Sequence, residues 1–174
     1  MPIDRVVINA STLITLFRAG LHPLLPHLFS ELLVPEAVWN EVVSRTYDDP
    51  ATRDLPQSAW ARKTANTVDP AVAVWNLGAG ETAVLSLSLH SPGYTAIVDD
   101  RAARRCARVL DVRTIDTAGV IVLARRKGLF EKSNHRPPWL HRPSIQYRQP
   151  SHVGSAMIAH LHARGLQVGA GSGR

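Results

Sequence analysis

Cysteine is almost missing from this sequence of 174 residues, where Cys106 stands alone. A single thiol excludes an internal disulfide and any zinc site built on cysteines. Long apolar runs are missing as well, and no stretch approaches the ~18 residues that a membrane span needs. The opening Met1-Pro2-Ile3-Asp4-Arg5 lacks a basic region followed by a long apolar one, so no secretory signal is expected. These absences together point to the cytoplasm and away from a membrane. There is no internal repeat. Strong charge of one sign is also missing from most of the chain. Residues 1–130 carry 14 Lys/Arg and 13 Asp/Glu, whereas residues 131–174 carry six Lys/Arg and one Glu. Most of the net charge of +6 therefore sits in the tail and says little about the body, where only local patches would draw phosphates.

What is present is a chain of one-domain length with enough apolar residues for a core. Short β-like runs alternate with helical periodicity. Arg5–Asn9 is β-branched, and Ser11–Ala19 carries Leu13, Ile14, Leu16 and Phe17 at helical spacing before Gly20. Pro23 opens a short helix over Leu24–Phe29, Leu32–Val34 reads as a strand, and Pro35 begins a helix containing Val38, Glu41 and Val42. Thr46–Gln57 is polar with two prolines and reads as a loop, and residues 58–76 fit neither period throughout. From Gly78 the pattern sharpens: a buried helix over Thr82–Leu89, a strand Tyr94–Val98, and an amphipathic basic helix Arg101–Leu110. A strand Val112–Ile115 and a helix Thr117–Arg126 follow. Such alternation predicts an α/β fold, a mostly parallel central sheet covered by helices on both faces.

Beyond residue 130 the composition changes. Residues 132–152 hold four prolines, three histidines and three arginines without periodicity. The expected organisation is a folded domain over 1–130, a basic Pro/His-rich linker over 131–152, and a terminal helix with a flexible end over 153–174. His160 and His162 are too close in sequence to share a helix face, which argues against a metal site there.

Ligands of open parallel sheets lie beyond the carboxyl ends of the strands. Asn9 and Ser11 stand at the end of the first strand, Asp99 and Asp100 at the end of Tyr94–Val98, and Glu81 in the first turn of the helix feeding that strand. Glu41 approaches from the helix after Pro35. Carboxylates gathered in one cleft repel one another unless a cation neutralises them, and Mg²⁺ or Mn²⁺ prefers such oxygen ligands. A metal held there would position a phosphate and activate a water. That chemistry needs no cysteine, no catalytic histidine and no Gly-rich phosphate loop.

The runs VVINASTLITLFRAGL, LLVPEAVWNEVV, LGAGETAVLSLSL and AIVDDRAARRCARVLDVRTIDTAGVIVLARRKGL together resemble the PIN-domain superfamily over residues 3–130. They are most similar to a prokaryotic group related to toxins of type II toxin–antitoxin modules. The resemblance implies a three-layer α/β/α fold and metal-dependent hydrolysis of phosphodiester bonds in RNA. It implies Asn9, Glu41, Glu81 and Asp100 as metal ligands, Glu81, Asp99 and Asp100 as catalytic residues, and Ser11 and Asp116 as supporting groups behind them. Asn9 stands where most active members carry Asp, so a neutral oxygen replaces a charge and metal binding is expected to weaken. Arg101, Arg104, Arg105 and Arg108 share one helix face beside the acidic pair and are the expected contacts to single-stranded RNA. An antitoxin protein and a homodimer are the candidate protein partners.

Other readings stay open on sequence alone. A degenerate module of the same fold would bind RNA or a protein without cleaving. Gly78-Ala79-Gly80-Glu81-Thr82-Ala83 also fits the GxGxxA of dinucleotide-binding folds, with Asp99 about 20 residues on. Against that stand Glu81, a negative charge where the pyrophosphate would lie, and the lateness of the motif. A receiver-like reading of Asp99-Asp100 fails because the pair does not follow the first strand.

Overall fold

The computed structural model describes residues 3–44 and 49–132. The β-branched run at the start forms β1 (Arg5–Ile8), with Val6, Val7 and Ile8 fully buried, as a strand covered on both faces requires. Next, α1 (Ala10–Arg18) buries Leu13, Ile14, Leu16 and Phe17 along one stripe. It closes in a Schellman turn, in which Gly20 N donates to Phe17 O at 2.9 Å and Leu21 N to Leu16 O at 2.8 Å. Gly20 takes a φ of 66° there, a left-handed conformation that glycine adopts without a Cβ clash. A 3-10 turn at His22–Leu24 and α2 (Leu25–Leu28) lead to β2 (Glu31–Pro35) and α3 (Glu36–Val43).

The stretch read as a loop over Thr46–Gln57 is helical from Pro50 onward. Asp49 caps α4 (Pro50–Asp54), its Oδ1 accepting from Ala51 N at 3.0 Å, and a 3-10 turn covers Leu55–Gln57. Pro50 and Pro56 each lie in a first turn, where an N–H would have had no intrahelical partner, so neither breaks its element. Asp49 is buried and also accepts from Arg18 at 2.6 Å, tying α4 to α1. The ambiguous stretch 58–76 resolves into β3 (Ala61–Thr64) and α5 (Pro70–Ala73). β3 is at the sheet edge and largely exposed, which is why it lacks an apolar alternation.

The second half contains α6 (Ala79–His90), β4 (Thr95–Ile97), α7 (Arg101–Val109), β5 (Thr114–Ile115), α8 (Thr117–Arg126) and α9 (Leu129–Lys132). α6 starts three residues earlier than the sequence suggests, because Gly78 serves as its cap. It packs against β1, β2, β4 and α3, so it is buried nearly all round. The five strands are all parallel in the order β3-β2-β1-β4-β5, giving a three-layer α/β/α fold. Chain order reverses between β1 and β4, where Val6 pairs with Leu32 on one side and Thr95 on the other. A switch point of this kind opens a crevice beyond the carboxyl ends of both strands. α9 runs two residues into the segment read as a linker. The remainder of that segment, the terminal helix and the tail histidines lie outside the described residues. Among the described residues no helix is long and apolar enough to cross a membrane.

Candidate active site

Asn9 ends β1 and caps α1. Its backbone N–H continues the ladder to Ile97 O at 3.1 Å, which seats it at the switch point. Its Oδ1 accepts from Ala10 N at 2.7 Å. That donor fixes the orientation of the amide, since the reverse placement would set two donors face to face. Nδ2 therefore faces Glu81, donating to its Oε1 at 3.0 Å and lying 3.5 Å from Ser11 Oγ, while Oδ1 stays on the side of Gly80 and Glu41. Asn9 is buried and Ser11 exposed.

Glu81 and Glu41 come from two helices that cross at a glycine. A Cβ on Gly80 would lie 3.0 Å from Asn9 Oδ1 and 3.1 Å from Glu41 Oε2, with Val38 Cγ2 at 3.6 Å. Both oxygen distances are tighter than ordinary van der Waals contact, so a side chain at this position would crowd both oxygens. Asn9 and Glu41 thus meet at Gly80, and Glu81 joins them through its hydrogen bond from Asn9. The carboxylate of Glu41 has no hydrogen-bond partner among the described residues, and Glu81 has only Asn9. Hard oxygen donors in such a cradle fit Mg²⁺ or Mn²⁺. Only two of them are charged. Among the described residues no three His, Cys, Asp or Glu side chains cluster closely enough to hold a metal.

The adjacent aspartates after β4 have different surroundings. Asp99 accepts from Thr117 N at 2.8 Å, Thr117 Oγ at 2.6 Å and Thr12 Oγ at 3.2 Å, joining the starts of α1 and α8 to β4. Asp100 caps α7 through one oxygen, which accepts from Ala103 N at 2.8 Å. It makes no hydrogen bond to Asn9, Glu41 or Glu81. Asp116 caps α8, accepting from Gly119 N at 2.8 Å, and its other oxygen pairs with Arg104 at 2.9 Å. Arg101, Arg105 and Arg108 share the exposed face of α7 with Arg104, opposite buried Ala103, Cys106 and Ala107.

Sequence reasoning missed Thr12 and Thr117 as partners of Asp99, although both stand in first turns after parallel strands, where hydroxyls commonly meet carboxylates. It also missed Gly80 as the spacer of the cradle. The glycine-rich run itself enters α6 from α5 and a loop, not directly from a strand as a dinucleotide fingerprint requires. What remains is an all-parallel sheet with acidic and amide oxygens at its switch point, the frame of a nuclease-like α/β protein. A family model described as a PIN domain matches residues 5–137, and the chain belongs to that family. No curated protein matches it.

Proposed function

We propose that this chain is a divalent-metal-dependent ribonuclease whose centre lies at the β1/β4 switch point. The observation that supports the reading best is the approach of Asn9 and Glu41 oxygens to Gly80, with Glu81 hydrogen-bonded to the same Asn9. Those three side chains would hold Mg²⁺ or Mn²⁺, with Asp100 reaching in from the neighbouring strand through its remaining oxygen. A bound ion there would neutralise a phosphodiester and supply a water of lowered pKa. Asn9 and Ala10 orient the Glu81 side, while Glu41 presents an unpaired carboxylate to it. Asp99 acts by position, fixing α1 and α8 through Thr12 and Thr117, and Asp116 holds Arg104 on the face that meets RNA. Arg101 and Arg105 offer planar forks to phosphates flanking the bond, and Arg108 continues the same face farther from the cleft. An antitoxin protein is the partner expected from the toxin resemblance.

A second reading, an RNA-binding module that does not cleave, draws on the same Asn9. Its amide already donates to Glu81, so the carboxylate is stabilised in part without any cation. Cleavage of single-stranded RNA with Mg²⁺ or Mn²⁺, beside Glu81→Gln and Asp100→Asn, decides between them. Activity in the parent chain that both substitutions abolish supports the nuclease. RNA binding with no cleavage in any metal supports the module.

A further inference from the structure

A second basic feature lies away from the cleft, between α7 and the open edge of the sheet. A cavity of about 200 Å³ is lined by Arg104, Arg108, Asp111, Val112, Arg113 and Thr114. Its shape comes from how α7 ends. Asp111 adopts φ 54°, Asp111 N donates to Arg108 O at 3.4 Å, and Val112 N donates to Ala107 O at 2.8 Å. This Schellman turn swings the chain back along α7 and sets Arg113 beside arginines one and two turns into the helix.

The charges in the cavity are only partly compensated. Arg104 is paired with Asp116 at 2.9 Å, and Arg113 donates to a neutral carbonyl, Gly93 O, at 3.2 Å. Arg108 has no hydrogen bond or ion pair among the described residues, and Asp111 forms no ion pair with any of the three. Guanidinium groups brought together repel one another, and an anion with several acceptor oxygens relieves this while taking bidentate hydrogen bonds. β5 is an edge strand of the sheet, and its Thr114 lines the cavity.

We infer that this cavity is a phosphate-binding subsite that holds the backbone of a single-stranded RNA at a distance from the cleft. The inference rests on the ribonuclease reading for its ligand, not for its geometry. From its cap, Asp100, α7 reaches Arg108 eight residues later, a rise of about 12 Å. Arg101, Arg104 and Arg108 mark a line down that helix from cleft to cavity. A strand following it leaves the cleft over the exposed face of α7 and sets a phosphate several nucleotides away between Arg108 and Arg113.

Binding in EDTA tests this apart from any cleavage. The full chain is titrated against labelled single-stranded RNA of twelve nucleotides, and of two, by fluorescence anisotropy over a range of salt. Three proteins are compared: the parent, Arg108→Ala/Arg113→Ala, and Arg125→Ala/Arg126→Ala, which removes equal charge from exposed positions of α8. The cavity variant should bind the longer RNA at least tenfold more weakly, with a salt slope shallower by about 0.7 for each phosphate that it no longer neutralises. The dinucleotide should bind both alike. Equal weakening in the α8 variant would make the effect one of overall charge and overturn the inference. So would unchanged binding by the cavity variant, no RNA binding by the parent, or tight calorimetric binding of inorganic phosphate without any effect of the variant on RNA. Failure here leaves Glu81→Gln to judge the nuclease independently.

Discussion

The side-chain amide of Asn9 donates to Glu81 Oε1 at 3.0 Å, joining residues 72 positions apart. An Asp at this position would face Glu81 with a second negative charge and lose the hydrogen bond. Asn9→Asp is therefore expected to lower stability in EDTA by about 1–3 kcal/mol. Added Mg²⁺ or Mn²⁺ should recover it, because the cation replaces what the amide supplied. Thermal melts with and without metal, and calorimetric titration of both proteins, read this directly. A variant that binds metal no more tightly than the parent would remove Asn9 from the ligand set.

Gly80→Ala sets two effects against each other. Alanine favours a helix over glycine by about 1 kcal/mol, whereas a Cβ crowding the oxygens of Asn9 and Glu41 costs about 1–3 kcal/mol. Stability should change little or fall slightly. Metal binding and cleavage should fall much further, since the added methyl group takes the space between the donors. Denaturant unfolding beside metal titration separates the two, and unchanged metal affinity would show that the cradle is not where a cation sits.

Asp99 and Asp100 should separate by readout. Asp99→Asn weakens three hydrogen bonds that a charge now strengthens and should cost about 1–2 kcal/mol in urea unfolding. Asp100→Asn should leave stability nearly intact, because Asn and Asp cap helices about equally well, while cleavage is abolished. The reverse pattern would exchange their roles.

Tyr94 carries the pH dependence at the other end of the sheet. Burial first, and then its hydrogen bond to Glu31, raise the phenol above its ordinary range. A raised folded value means that the neutral phenol contributes stability below the unfolded pKa near 10. The contribution disappears as pH rises through the higher folded value. Unfolding midpoints of the parent and Tyr94→Phe should differ at neutral pH and converge in strong alkali. A constant difference throughout would disconnect the phenol from stability.

The sequence made the centre of this fold more legible than its margins. The Val6-Val7-Ile8 run could hardly be anything but a covered strand, and alternation with helices made the sheet parallel. Asn9 and Glu81 were legible as neighbours because both occupy carboxyl-edge positions. β3 was not, since an exposed edge strand has no core to impose a period. The difference between Asp99 and Asp100 was hidden for a related reason. Consecutive residues leaving a strand point in different directions, and only the positions of Thr12 and Thr117 reveal which one is held by hydroxyl hydrogen bonds. The grouping of Arg113 with Arg108 depends on the left-handed turn at Asp111, which a non-glycine residue does not advertise.

The reversal of chain order at the centre of the sheet also has a temporal side. During synthesis β1 emerges with Asn9 already at its end, and β2 and α3 follow, bringing Glu41. The other wall of the crevice, β4 with Asp100, comes roughly ninety residues after Asn9, and the ladder bond from Asn9 to Ile97 has no acceptor until then. A shorter nascent chain holds some of the donors but no second strand to close the crevice around them. Whatever chemistry the crevice performs is thereby withheld until β4 has been made. Chains truncated just before Thr95 should be inert, and a ribosome making the chain would meet the proposed activity only after β4 has emerged.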